Sequence, residues 1–117
     1  MTCGYWGLLN HARPMTMHDT VLELAIFTVK PEHVARMPQL RDGLREALKG
    51  FPGLIEYRGY SPMNDGRTFV DLARWENLEC AAAVARAFND GDPRFGPYSA
   101  AIEQLTFMEH FAPEGAD

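Results

Sequence analysis

Apolar and polar positions alternate with period two in four stretches of the chain and with helical period in two others. Val21–Val29 (VLELAIFTV) is rich in apolar and β-branched residues and predicts a strand. Its alternation puts Leu22, Leu24 and Ile26 on a purely apolar face and Glu23, Ala25, Phe27 and Val29 on a mixed one. From Pro31 to about Lys49, Val34, Met37, Leu40, Leu44, Ala47 and Leu48 fall near one stripe, which predicts a helix. Pro38 interrupts that stripe and predicts a kink or a late true start, and Gly50 is a good stop. Leu54–Tyr60 predicts a second strand, Asp65-Gly66 marks a hairpin turn, and Thr68–Glu76 predicts a third strand. Asn77 can cap a second helix over Leu78 to about Phe88. A loop with one helical turn after Pro93 then leads into a fourth strand, Ile102–Phe111.

The order β-α-β-β-α-β is the ferredoxin-like pattern: one antiparallel sheet with its helices on one face. It covers residues 19–112. Residues 1–18 show neither period and read as an extension, either disordered or docked, and residues 113–117 read as a tail. The apolar rows Leu22/Leu24/Ile26 and Val70/Leu72 suit the helix side, which leaves Phe27, Phe69 and Trp75 on the uncovered side. A patch of that size is rarely left in water, so the pattern predicts a homodimer packed sheet to sheet.

Composition narrows the classes. The chain has 117 residues, enough for one domain, with 46% hydrophobic and 23% charged residues. A net charge of -5 argues against a nucleic-acid or anionic-membrane surface. An RNA-binding sheet of the same strand order would need basic and stacking groups on its central strands, where this chain carries Asp71. Cys3 and Cys80 are far apart in the sequence and belong to no Cys/His cluster at zinc spacing, so no metal is expected. No apolar run approaches the roughly 20 residues of a membrane span, and no signal peptide is evident, which points to the cytoplasm.

Chemistry concentrates on the third strand. Phe69, Asp71, Ala73 and Trp75 share a face, so a carboxylate and an indole stand roughly 13 Å apart at about 3.3 Å per residue. That pairing suits a pocket lining. Arg58 and Tyr60 on strand two and His110 on strand four are assigned to the same cavity, with Phe27, on the side of the sheet that the helices leave uncovered. Each residue also has a structural reading. Trp75 can anchor a core or interface, Asp71 can pair with Arg58 across the strands, and His110 can be exposed.

The strand order, the FPGLIEYRGY segment (Phe51–Tyr60), the WENLECAAA segment (Trp75–Ala83) and the closing TFMEHF (Thr106–Phe111) together resemble the antibiotic biosynthesis monooxygenase superfamily of dimeric α+β barrels, from Val21 to about Phe111. The resemblance implies a dimer of ferredoxin-like units and, in several members, oxidation of aromatic polyketides or quinols by dioxygen without metal or flavin. Such members carry an Asn and a Trp four apart on the third strand, where they assist deprotonation or hold an oxyanion. Here Trp75 matches and Asp71 replaces the amide. The haem-degrading branch carries a helix-borne His where this chain has Ala85, which disfavours that branch. The function implied is a cofactor-independent monooxygenase on a small aromatic or quinol-like compound. Asp71 and His110 would be proton acceptors, and Trp75, Phe27, Arg58 and Tyr60 substrate-binding. The alternative is a non-catalytic small-molecule-binding or stress-associated protein of the same fold.

Overall fold

The computed structural model describes residues 20–114. The N-terminal extension lies outside the described residues, as does most of the C-terminal tail.

The strands are β1 (Val21–Val29), β2 (Leu54–Tyr60), β3 (Thr68–Trp75) and β4 (Ile102–Phe111). They form one antiparallel sheet in the order β2-β3-β1-β4. Helix α1 (Met37–Leu48) follows a 3-10 segment, Pro31–Arg36. Pro38 therefore marks a late true start: it occupies the first turn of α1, where a missing N–H costs nothing. Helix α2 (Leu78–Asn89) starts at Asn77, whose Oδ1 accepts from the Cys80 N–H at 2.9 Å. A third helix, α3 (Gly96–Ala101), stands where the sequence suggested only a lead into β4. It is six residues long and opens on Pro97, too short for a periodic signal. The result is a ferredoxin-like α+β fold.

The helices cover the mixed face of the sheet, opposite to the assignment drawn from the alternation. Trp75 is 0% exposed, Phe27 1% and Phe69 2%. Val70, Leu72, Leu22, Leu24 and Ile26 point the other way and stay half-buried, beside Phe107 at 37% and Phe111 at 42%. Period two separates the two faces but does not say which one is roofed. Bulk and polar satisfaction decide it. The mixed row holds the largest rings, and its carboxylates find donors beneath the helices.

The roof packs through Met37, Leu40, Leu44 and Leu48 of α1, Cys80, Ala81 and Val84 of α2, and Tyr98 and Ala101 of α3. Phe27 stacks on Phe69 and meets Tyr98 edge-on, with ring centroids 6.4 and 6.0 Å apart. Phe95 joins Phe51 and Phe88, each at 5.6 Å. Burial of one such ring contributes roughly 1.5–3 kcal/mol. A register shift between Leu105 and Phe107 leaves Thr106 as an extra residue in β4. This bulge turns both Leu105 and Met108 toward the roofed side, although they are three apart in sequence.

Candidate active site between the sheet and its helices

A cavity of about 280 Å³ lies between the sheet and its own helices. Its floor is Glu23, Ala25 and Phe27 of β1, Asp71, Ala73 and Trp75 of β3, and Leu105 and Met108 of β4. Leu44 and Leu48 of α1, Val84, Ala85 and Phe88 of α2, and Tyr98 and Ser99 of α3 close it from above. The room has a simple origin. Glu23 pairs with Ala73 and Ala25 with Asp71, so two methyl groups occupy the centre of the floor where larger side chains would fill the space.

Asp71 sits at one end of that floor and is held by three donors. Arg41 Nη2 donates to its Oδ1 at 2.9 Å, Tyr57 Oη to the same oxygen at 2.8 Å, and Tyr98 Oη to Oδ2 at 2.6 Å. Arg41 is 5% exposed and also donates to the Tyr60 and Val70 carbonyls at 3.2 and 3.0 Å. Its guanidinium lies over the Phe69 ring, 5.3 Å from the centroid. The expected Asp71–Arg58 pair does not form. Arg58 points to the opposite face of β2 and ion-pairs with Glu56, which Arg74 also engages at 3.0 Å. Glu56, Arg58 and Tyr60 face outward because they pair with Arg74, Leu72 and Val70, whereas Tyr57 and Gly59 pair with the cavity residues Ala73 and Asp71. The placement of Arg58 and Tyr60 in the cavity is thus corrected: both are exposed and neither lines it.

A second group stands at the other end. Trp75 Nε1 donates to Glu23 Oε1 at 3.0 Å, and His110 Nε2 lies 3.3 Å from Glu23 Oε2. The indole N–H is therefore engaged within the protein. His110 is on the roofed face of β4, directly across from Glu23, but does not itself line the cavity. The structure thus brings Phe27, Asp71 and Trp75 onto the wall, sets His110 behind it, and leaves Arg58 and Tyr60 outside.

Arg41 is the residue that sequence reading missed. Its signal was present: Met37, Arg41, Leu44 and Leu48 follow one helical stripe, so a cation falls inside an apolar row. Gly59 makes room for it. A Cβ at Gly59 would lie 2.5 to 2.9 Å from Arg41 Nε, Cζ and Cδ. Gly59→Ala is expected to cost roughly 1–3 kcal/mol by overpacking, read as a shift in the denaturant midpoint. An unshifted midpoint would mean that the guanidinium moves freely.

Burial, followed by the adjacent Asp71 charge, pushes both the Tyr57 and Tyr98 hydroxyls well above the ordinary tyrosine range. Folding therefore favours their protonated forms. The stability they contribute is whole below about pH 10, the unfolded value, and is lost as pH rises above it. Unfolding titrations at pH 8 and pH 11 should show that loss, and a Tyr57→Phe/Tyr98→Phe variant should show less of it. An equal loss in both proteins would assign the alkaline effect to other groups.

The sequence profile of the family described as antibiotic biosynthesis monooxygenase matches residues 20–89. The chain belongs to the antibiotic biosynthesis monooxygenase family. No curated protein matches it. Solved structures share the fold of this family member at low identity. A mutant of SnoaB, a cofactor-independent oxygenase from Streptomyces nogalater, is 17% identical over 84% of this chain and 96% of its own, with a TM-score of 0.63. A conserved protein from Methanosarcina mazei Go1 is 20% identical over 81% of this chain and 93% of its own, with a TM-score of 0.65. PA3566 from Pseudomonas aeruginosa is 19% identical over 87% and 99%, with a TM-score of 0.55. Among the described residues of this antibiotic biosynthesis monooxygenase family member, no helix is long and apolar enough to cross a membrane.

Proposed function

We propose that the protein is a cofactor-independent monooxygenase acting on a small aromatic or quinol-like compound in the cavity between its sheet and helices. The observation that carries this reading is an aromatic-walled cavity with Asp71 and its three donors at one end, in a chain of a monooxygenase family. At about 280 Å³ it is at the small end of ligand pockets, which span roughly 300–1,000 Å³, and suits a small fused-ring aromatic.

In this proposal the ring lies against Phe27 and Trp75, and its hydroxyl meets Asp71. Among the described residues Oδ2 has only Tyr98 as a donor and retains acceptor capacity, so it takes the phenolic proton. Negative charge then moves from Asp71 to the substrate oxygen, where Arg41, Tyr57 and Tyr98 remain to hold it. The electron-rich anion reacts with dioxygen. For an anthrone-type CH2, one oxygen atom becomes the carbonyl and the other leaves as water, and the CH2 supplies all four electrons. His110 acts through Glu23 rather than on the substrate.

Oxygen uptake with a panel of hydroquinones and anthrones, with chelator present, tests the reading. Substrate-dependent uptake that disappears in an Asp71→Ala/His110→Ala variant is expected. Equal rates for the two proteins would remove these residues from the chemistry. A ligand bound tightly with no uptake would establish the binding-protein alternative.

The outer sheet face completes the proposal. Leu22, Leu24, Ile26 and Leu72, with the stacked pair Phe107 and Phe111, pack against a second copy. Light scattering at micromolar concentration is expected to give a dimer, and a monomer would refute it.

A further inference from the structure

The cavity has a second acceptor that takes no proton in the proposed reaction. Glu23 lines the wall, and its carboxylate meets two partners: the Trp75 N–H at 3.0 Å and His110 Nε2 at 3.3 Å. An ionised carboxylate offers about four lone-pair sites, so about two remain. Neither Trp75 nor His110 fixes the group by accident. Trp75 lies diagonally across from Glu23 on β3, and His110 lies directly opposite on β4. The side chain is therefore held from both neighbouring strands while it borders a mostly apolar space.

Its position relative to Asp71 gives the site a length. Glu23 pairs with Ala73, and Asp71 is two residues before Ala73 on the same strand. Such diagonal neighbours stand roughly 7–8 Å apart. Ala25 and Ala73 occupy the other two corners of this square and leave the space above them open. A flat molecule lying over the two methyl groups meets one carboxylate at each end. Asp71 is charge-compensated by Arg41, whereas among the described residues Glu23 has no Arg or Lys partner. Both ends thus call for neutral hydrogen donors and reject anions.

We infer that Glu23, positioned by Trp75 and His110, is a specificity-determining residue that accepts a second hydroxyl from the ligand. The ligand class is a dihydroxylated aromatic with its two hydroxyls para to each other on one ring. The inference rests on the reading of this cavity as the ligand site, but not on oxygenation.

Anaerobic calorimetric titration with three probes tests it: 1,4-dihydroxynaphthalene, its monomethyl ether 4-methoxy-1-naphthol, and 1,4-dimethoxynaphthalene. A hydrogen bond to a charged acceptor corresponds to at least about ten-fold in affinity. The wild-type protein should bind the diol at least about ten-fold more tightly than the monomethyl ether, and the diether more weakly still. In Glu23→Gln the amide carbonyl can keep the indole bond, while its N–H2 meets hydroxyl and ether oxygens alike. The diol should there lose its advantage over the monomethyl ether. Equal wild-type affinities for diol and monoether would overturn the inference whether or not the variant folds. So would an advantage that survives in Glu23→Gln, or the absence of binding by all three probes. A diol preference without oxygen uptake would uphold the role of Glu23 and sink the monooxygenase reading. Uptake without that preference would do the reverse.

Discussion

Replacing Arg41 with methionine is expected to destabilise the protein by about 3–5 kcal/mol, the cost typical of removing one partner of a buried ion pair. Methionine keeps the length and apolar packing of the side chain. It leaves Asp71 without its cation and the Tyr60 and Val70 carbonyls without their donor. The ion pair is well shielded, with Arg41 and Asp71 side chains 7% and 16% exposed, so solvent screening gives little relief. The denaturant midpoint should fall while the slope stays unchanged. An Arg41→Met/Asp71→Asn variant should be less destabilised than the two single losses added together, because the orphaned charge is then gone. A loss under about 1 kcal/mol for Arg41→Met would mean that water already satisfies the carboxylate.

The second large effect is on activity. Asp71→Asn is expected to lower the oxygen-uptake kcat by about 10²–10⁴-fold, the range for removal of a positioned acid–base group, with KM changed far less. The change is nearly isosteric, so the split between kcat and KM separates lost proton transfer from lost binding. The comparison is sharp because the sequence resemblance places an amide at this position in other members. Here the surroundings are built for an acceptor. Arg41, Tyr57 and Tyr98 all donate, and an amide would turn its N–H2 against at least one of them. An Asp71→Asn enzyme as fast as wild type would show that no carboxylate proton acceptor is needed.

Much of the fold was legible because its signals are local. Val21–Val29, Leu54–Tyr60 and Ile102–Phe111 were read to the residue from alternation and β-branched content. The Asn77 cap and the Pro38 interruption placed the starts of α2 and α1. Which face of the sheet the helices cover was not legible, since alternation is symmetric and the more apolar row looked like the core. The deciding facts are non-local: Arg41, 30 positions before Asp71, and Tyr98, 27 after it, reach the same carboxylate. The short helix α3 that positions Tyr98 carries no periodic pattern of its own. Asp71, Trp75 and Phe27 were found on the correct strands because a carboxylate on an aromatic row is unusual. Arg58 and Tyr60 were misplaced because the shift between Leu54 and Glu56 changes which residues of β2 face inward.

A small aromatic is expected to occupy the space between the sheet and its own helices rather than the outer sheet face. An anaerobic crystal structure with 1,4-dihydroxynaphthalene tests it most directly. A planar ligand is expected over Ala25 and Ala73, with its hydroxyls toward Asp71 and Glu23. A ligand bound instead beside Leu24, Leu72 and Phe107 on the outer face, with the inner cavity unfilled, would contradict it.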